Sequence, residues 1–441
     1  MTNSEQIKEQ ILNLTKEYTK LVHLNKKYEK GTSPIPVSGR IFDETDVSTL
    51  VESSLDFWLT TGRFNESFEK KLSTFLNIKK VLTVNSGSSA NLLAFSSLTS
   101  HLLKDRALKK GDEIISIAAG FPTTINPIIQ YGLIPVFVDV KIPEYNIDEN
   151  LIEQAITKKT KGIFLAHTLG NPFNLTKIME VAKKYNLWVI EDSCDALGST
   201  YNGQQVGTFG DVASLSFYPA HHITMGEGGA VFTNNSLIHK IAVSLRDWGR
   251  DCWCETGCDN SCKQRFNQQH GELPFGYDHK YIYSHIGYNL KITDMQAAVG
   301  VAQLAHLDGF INSRKENFNF LYENLKQFEE FLILPKAEEN SDPSWFGFPI
   351  SLKEKNHFKR EDLLKFLNEN KIGTRLLFGG NLTKQPYMKN VNYRISGKLE
   401  NTDYIMNNTF WIGVYPGLNE EKLSFVIEKF EEFFSKNIKQ K

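Results

Sequence analysis

Seven short runs of apolar and β-branched residues lie between residues 81 and 233: VLTV, EIISI, PVFVDV, GIFLAH, LWVIED, ASLSF and GAVFT. Most are separated by stretches long enough for a helix, such as NLTKIMEVAKKYN ahead of LWVIED. Runs this uniformly apolar suit strands buried on both faces, and helix-length connections let successive strands lie parallel, so the alternation predicts a mainly parallel sheet covered by helices. At about 100 to 200 residues per domain, a chain of 441 residues also has room for a second, smaller unit. The expected layout is a helical arm over residues 1–45, a large α/β domain over 46–310 and a smaller α+β domain over 311–441. In the arm, Ile7, Ile11, Leu14, Tyr18 and Leu21 recur at helical spacing behind a Thr2/Glu5 capping box, which suits core packing or a subunit contact. TDMQAAVGVAQLAHL reads as a further helix, and the closing NEEKLSFVIEKFEEFFSKN as one with an aromatic packing face.

Charge excludes some partners. Lys plus Arg number 50 and Asp plus Glu 51, so no overall field favours nucleic acid or an anionic membrane surface, and a small molecule is the expected ligand. The N-terminal stretch carries Glu5, Glu9 and Glu17 without an apolar block, and no run reaches membrane-spanning length, so a cytoplasmic protein is expected. In that reducing compartment the five cysteines, Cys194, Cys252, Cys254, Cys258 and Cys262, point to metal binding or chemistry rather than to disulfides.

Ligands of open α/β sheets sit beyond the carboxyl ends of the strands, which directs attention to the residues that follow each run. After VLTV come Gly87, Ser88 and Ser89 at a helix start, whose free N–H groups suit a phosphate, although a plain serine-capped helix reads equally well. LWVIED ends on Glu191 and Asp192. A carboxylate there is costly unless it meets a cation or hydrogen-bond donors. A pyridinium nitrogen would serve for Asp192; a capping or salt-bridged acid is the alternative. Phe121 follows a strand and could stack on a flat ring or fill core.

Together these segments resemble the pyridoxal-phosphate-dependent, fold type I (aspartate aminotransferase-like) enzymes that act on nucleotide-linked keto-sugars, the DegT/DnrJ/EryC1/StrS family. The resemblance runs from about residue 40 to 440 and rests on DFWLTTGRFNESFEKKLSTFL, NSGSSAN, EDSCDALGS, SFYPAHHITMGEGG, GYNLKITDMQAAVG and GTRLLFGGNLTKQP. It implies a large domain with a seven-stranded, mainly parallel sheet. It further implies that Ser88, Ser89 and Ser216 hold the cofactor phosphate, Asp192 the ring nitrogen and Phe121 the ring face. Asn289 would reach the phosphate of a neighbouring subunit, hence a homodimer.

One departure decides the chemistry. The family pattern S-F-x-x-x-K ends in the lysine that binds the cofactor covalently, but counting from Ser216 arrives at His221, and no lysine occurs from residue 211 to 231. Imidazole forms no stable imine, so the expected cofactor is non-covalent pyridoxamine 5'-phosphate (PMP). His221 can still act as a general base, its ordinary pKa lying near about 6.5. Asp195 stands where many aminotransferases have histidine or glutamine, and with Tyr218 it is a candidate to assist catalysis; His222 is expected to be structural.

Cys194, Cys252, Cys254 and Cys262 form a C-x57-C-x-C-x7-C pattern. Four thiolates suit tetrahedral zinc or an iron–sulfur cluster equally. The pattern is similar to the 2Fe-2S motif of the 3-dehydrase branch of the family, which also replaces lysine by histidine. Cys258, between two of the proposed ligands, could substitute for one. The resemblance implies PMP-dependent loss of the 3-hydroxyl from a nucleotide-linked 4-keto-6-deoxyhexose, with CDP favoured, in 3,6-dideoxysugar (O-antigen lipopolysaccharide) biosynthesis. Electrons would come through the cluster from an NAD(P)H-dependent iron–sulfur flavin reductase. A zinc-bearing dehydrase without a redox step, and an inactive sugar-nucleotide-binding relative, are the alternatives.

Overall fold

The computed structural model describes residues 2–24, 27–254, 257–354 and 358–438. All seven apolar runs form strands: β1 (Lys80–Val84), β2 (Glu113–Ile117), β3 (Ile134–Val138), β4 (Thr160–Ala166), β5 (Trp188–Asp192), β6 (Val212–Ser216) and β7 (Gly229–Thr233). They lie in the order β1-β7-β6-β5-β4-β2-β3. Only β7 runs against its neighbours, pairing antiparallel with both β1 and β6. An eighth, two-residue strand, Arg394–Ile395, adds in parallel to β3. Arg394 secures it by a two-pronged ion pair to Glu113 at 2.8 and 3.1 Å.

Side-chain alternation explains why the runs are continuously apolar. Ile115, Ile163 and Val189 pack on one face with Phe173 and Ile178, whereas Ile114, Phe164 and Ile190 pack on the other with Phe95 and Ile128. The same two-residue period sends Glu191 and Asp192 to opposite faces of the sheet.

Beyond residue 307 a long helix (Leu307–Leu325) leads into a four-stranded antiparallel sheet built on Gly347–Leu352 and Thr409–Gly413. The last helix, Glu420–Ile438, packs Phe430, Phe433 and Phe434 into that core with Phe328 and Phe358, as its aromatic face predicts. The N-terminal helix, Asn3–His23, begins with the expected Thr2/Glu5 capping box. Its apolar stripe is not in the core: Ile7, Leu14, Tyr18 and Leu21 are all exposed. Among the described residues no helix is long and apolar enough to cross a membrane.

Candidate active site

A cavity of about 670 Å³ opens beyond the carboxyl ends of β2, β4, β5 and β6 and is closed on its far side by Phe346, Arg375 and Trp411 from the C-terminal part of the chain. Asp192, the last residue of β5, lies in its wall, 5% exposed. Its Oδ2 accepts hydrogen bonds from Asn91 Nδ2 (2.8 Å) and Thr124 Oγ1 (2.7 Å), and its Oδ1 from the Cys194 backbone N–H (3.2 Å). Ser214 in turn donates to Asn91 Oδ1. Among the described residues Asp192 has no cationic partner, and its carboxyl group lies buried in the wall of the cavity, a position from which it could pair with a protonated ring nitrogen.

Glu191 has the other fate. It is fully buried on the opposite face, where Gly207, Phe209 and Gly210 donate backbone N–H bonds of 2.6 to 2.9 Å and His167 Nε2 lies 3.0 Å away. Three oriented donors satisfy the carboxylate and fix the loop that leads into β6.

The helix Gly87–Ser97 starts directly against β6. A Cβ on Gly87 would come within 2.4 Å of Ser216 Cβ, so only glycine lets the first N–H groups approach this wall. Ser88 and Ser216 line the cavity. Ser89 is capped instead, its N–H and Oγ both meeting Ser86 Oγ at 3.0 Å. A helix N-terminus with exposed Ser88, a glycine cradle and the Ser216 hydroxyl is a fitting seat for a phosphate. Phe121, half exposed, presents its ring to the cavity and meets Phe378 edge-on at 6.1 Å. Asn289 is exposed outside this lining, on a stretch that pairs with Asp247.

No lysine lines the cavity among the described residues; His221 does. Its Nδ1 lies 3.4 Å from Asp195 Oδ1, without hydrogen-bond geometry, and its ring stacks on Phe346 at 5.1 Å. Burial, and secondarily the Arg314 charge, depress the imidazole to about 3, so it is a neutral ring. Asp195 is pushed up to about 8 by burial and by the charge of Asp192. Arg314, fully buried, reaches the carbonyls of Trp345 (3.2 Å), Phe346 (3.4 Å) and His221 (3.4 Å), tying the histidine loop to the C-terminal part. Tyr218, half exposed, meets His221 edge-on at 6.4 Å. His222 turns away and bonds through Nε2 to the Ser344 carbonyl at 2.8 Å, a structural role as expected.

The cysteines divide. Cys252, Cys254 and Cys262 converge on a small recess with Arg265, His279 and Lys280. Although burial opposes it, hydrogen bonds from Ser261 and from the neighbouring Cys262 and Cys252 lower the Cys254 thiol to about 7, towards the thiolate a metal requires. Cys194 lines the large cavity instead, and burial followed by the Asp192 charge pushes its thiol well above the usual range. Cys258 is exposed in the same turn as the three. Three of the proposed ligands thus line one recess and the fourth lines the other cavity; the ligand atoms of Asp251, His270 and His279 lie within 4.8 Å of one another next to the three.

Asn91, Thr124, His167, Arg314, Phe346, Arg375 and Trp411 were not singled out from the sequence. For Asn91 a signal existed: it lies one helical turn after Ser88, at the end of NSGSSAN.

A model of the DegT/DnrJ/EryC1/StrS aminotransferase family matches residues 41–431. The lipopolysaccharide biosynthesis protein RfbH of Salmonella typhimurium is 62% identical, over 98% of this chain and 99% of its own. The dTDP-4-dehydro-2,6-dideoxy-D-glucose 3-dehydratase of Saccharopolyspora spinosa is 51% identical over 92% and 88%. Among solved structures, E. coli GDP-4-keto-6-deoxy-D-mannose-3-dehydratase with bound hydrated PLP superposes with a TM-score of 0.81 at 28% identity, covering 90% of this chain and 98% of the other.

Proposed function

The chain belongs to the DegT/DnrJ/EryC1/StrS aminotransferase family, and on that premise we propose that it is a PMP-dependent nucleotide-sugar 3-dehydratase, removing the 3-hydroxyl of a CDP-linked 4-keto-6-deoxyhexose on the way to 3,6-dideoxysugars. The observation that carries this reading is His221 in a cavity whose lining, among the described residues, holds no lysine. Relatives named as 3-dehydratases of dTDP- and GDP-linked sugars support the reaction class; the preference for CDP comes from the motif resemblance. Cytoplasmic residence belongs to the same reading.

When bound, PMP supplies a primary amine for the sugar ketone and a ring that withdraws electrons from the adjoining methylene. The chain's part is to hold and to move protons. The helix start at Gly87, with Ser88 and Ser216, binds the phosphate. Ser89 holds the turn through Ser86. Phe121 covers a ring face. Asp192, fixed by Asn91 and Thr124, keeps the ring nitrogen protonated. A positive charge on that nitrogen would also relieve Asp195 of the Asp192 field that raises it. His221 offers a neutral imidazole as the proton acceptor, with Asp195 Oδ1 3.4 Å from its Nδ1. Tyr218, which lines the same cavity, would hand a proton to the departing hydroxyl.

A 2Fe-2S centre on Cys252, Cys254, Cys262 and Cys194 would supply single electrons from an NAD(P)H-dependent reductase, and a homodimer would bring Asn289 to the neighbouring phosphate. The cysteine spacing and the shared recess of Cys252, Cys254 and Cys262 support the centre. Structural zinc on the same thiols is the second reading; His279 Nδ1 lies 3.9 Å from Cys262 Sγ in that recess.

The test is anaerobic incubation with PMP and the CDP-4-keto-6-deoxyhexose, with and without the reductase. The expected product has lost one oxygen only when the reductase is present, from a reddish-brown protein. Dehydration by a colourless, zinc-bearing protein would support the second reading, and no change in the sugar would refute both.

A further inference from the structure

We infer that Asp251, His270 and His279 form a binding site for one divalent ion of the zinc class, separate from the thiols, which clasps the irregular segment that carries the cysteine turn. The inference does not depend on the nucleotide-sugar reading.

From residue 247 to residue 293 the described residues form neither an α-helix nor a strand. They hold one 3-10 turn, His279–Tyr281, and two isolated bridges, Asp247 with Asn289 and Arg250 with Tyr283. The segment buries little apolar surface: Ile282 and Ile292 are in the core, whereas Phe266, Phe275, Tyr281 and Ile286 are exposed. So long a stretch without regular structure is uncommon in a compact protein, and a unit with no core of its own needs another source of order, for which a bound metal serves.

The three side chains are placed to provide it. Asp251 stands directly before the cysteine turn and His270 and His279 after it, so an ion held by all three closes the loop that contains Cys252, Cys254 and Cys262. One ligand atom from each lies within 4.8 Å of the others. His279, 1% exposed, already brings Nε2 to 2.8 Å from Asp251 Oδ2, a separation two ligands can keep at about 2.0 to 2.2 Å from a shared ion. The His270 ring lies parallel to that of His279, centroids 5.3 Å apart, and its Nε2 is buried without a hydrogen-bond partner. A buried ring nitrogen left unpaired costs free energy, and coordination removes that cost. Ser284 Oγ donates to Asp251 Oδ1 at 2.9 Å, which orients the carboxylate and leaves Oδ2 for the ion.

The donor set selects the ion. Two imidazoles and a carboxylate suit zinc and its first-row neighbours, whereas magnesium and calcium take oxygen ligands. Binding displaces the proton that His279 Nε2 and Asp251 share, and it leaves to solvent. The remaining ring proton is then fixed on His279 Nδ1, 3.9 Å from Cys262 Sγ, so the same imidazole joins the ion to the thiol recess.

The test uses the full chain, prepared anaerobically with its thiol centre intact, dialysed against a chelator and titrated with Co(II) by calorimetry and visible spectroscopy. One Co(II) per chain is expected beyond the metal on the thiols, without a new sulfur-to-cobalt charge-transfer band. His270→Ala should weaken Co(II) by about a hundredfold, the upper end of what losing an outer-shell partner costs, and Ser284→Ala by about tenfold. Neither should change the content of thiol-bound metal. Proteolysis of the parent supplies a measure that needs no substitution: Co(II) should slow cleavage between residues 252 and 279. The site is wrong if no Co(II) is taken up, if a charge-transfer band puts the cobalt on sulfur, if His270→Ala binds as the parent does, or if cleavage of the parent is unchanged.

Discussion

Glu191 and Asp192 are adjacent acids with opposite duties, and the two-residue period of a strand separates them. One is consumed by backbone donors; the other faces the cavity with no cationic partner among the described residues. Glu191→Gln replaces an acceptor by a donor opposite other donors, so it should destabilise the protein by about 3 kcal/mol in chemical denaturation. Its effect on cofactor affinity should be small. The neutral state of His221 gives a pH signature. The folded imidazole titrates at about 3 and the unfolded one near about 6.5, so the unfolded chain binds the extra proton between these values. Stability should therefore fall as pH drops from about 6.5 towards 3, and His221→Asn should flatten that slope in denaturation curves; an unchanged slope would contradict it. His221, Asp192 and Ser216 were legible because each lies within a short motif at a strand end. Thr124 and Arg314 were not, for they reach the site only through contacts 68 and 93 residues away in sequence.

At the scale of elements, the seven strands of the sheet were readable as apolar runs, and the helix starts from their caps. The eighth strand was not: two residues carry no periodicity, and the pairing of Arg394–Ile395 with β3 is made by the fold and by Glu113. The turn from Cys252 to Cys262 shows the same limit. Spacing grouped four thiols, while the structure gathers three and leaves Cys194 against Asp192. Serine substitutions distinguish the ligand sets. Cys252→Ser, Cys254→Ser and Cys262→Ser should each lose most of the iron from anaerobically prepared protein. Cys194→Ser should lose it too and Cys258→Ser keep it; the reverse pattern for this last pair would make Cys258 the fourth ligand.

For the whole molecule, the exposed stripe of Leu14, Tyr18 and Leu21 and the exposed position of Asn289 both suit an assembly larger than one chain of 50.3 kDa. Sedimentation should show a dimer, and Asn289→Ala should weaken PMP binding about tenfold without dissociating it. Subunit contacts are beyond what one sequence reveals, because an apolar helix face reads alike whether a core or a partner covers it. The central claim is that an imidazole occupies the seat of the family's lysine, so that the cofactor rests unattached. Its most direct test is borohydride treatment of the PLP-loaded protein followed by intact mass. The parent should keep its unmodified mass while His221→Lys gains one reduced cofactor; a parent that gains the cofactor covalently would contradict the account.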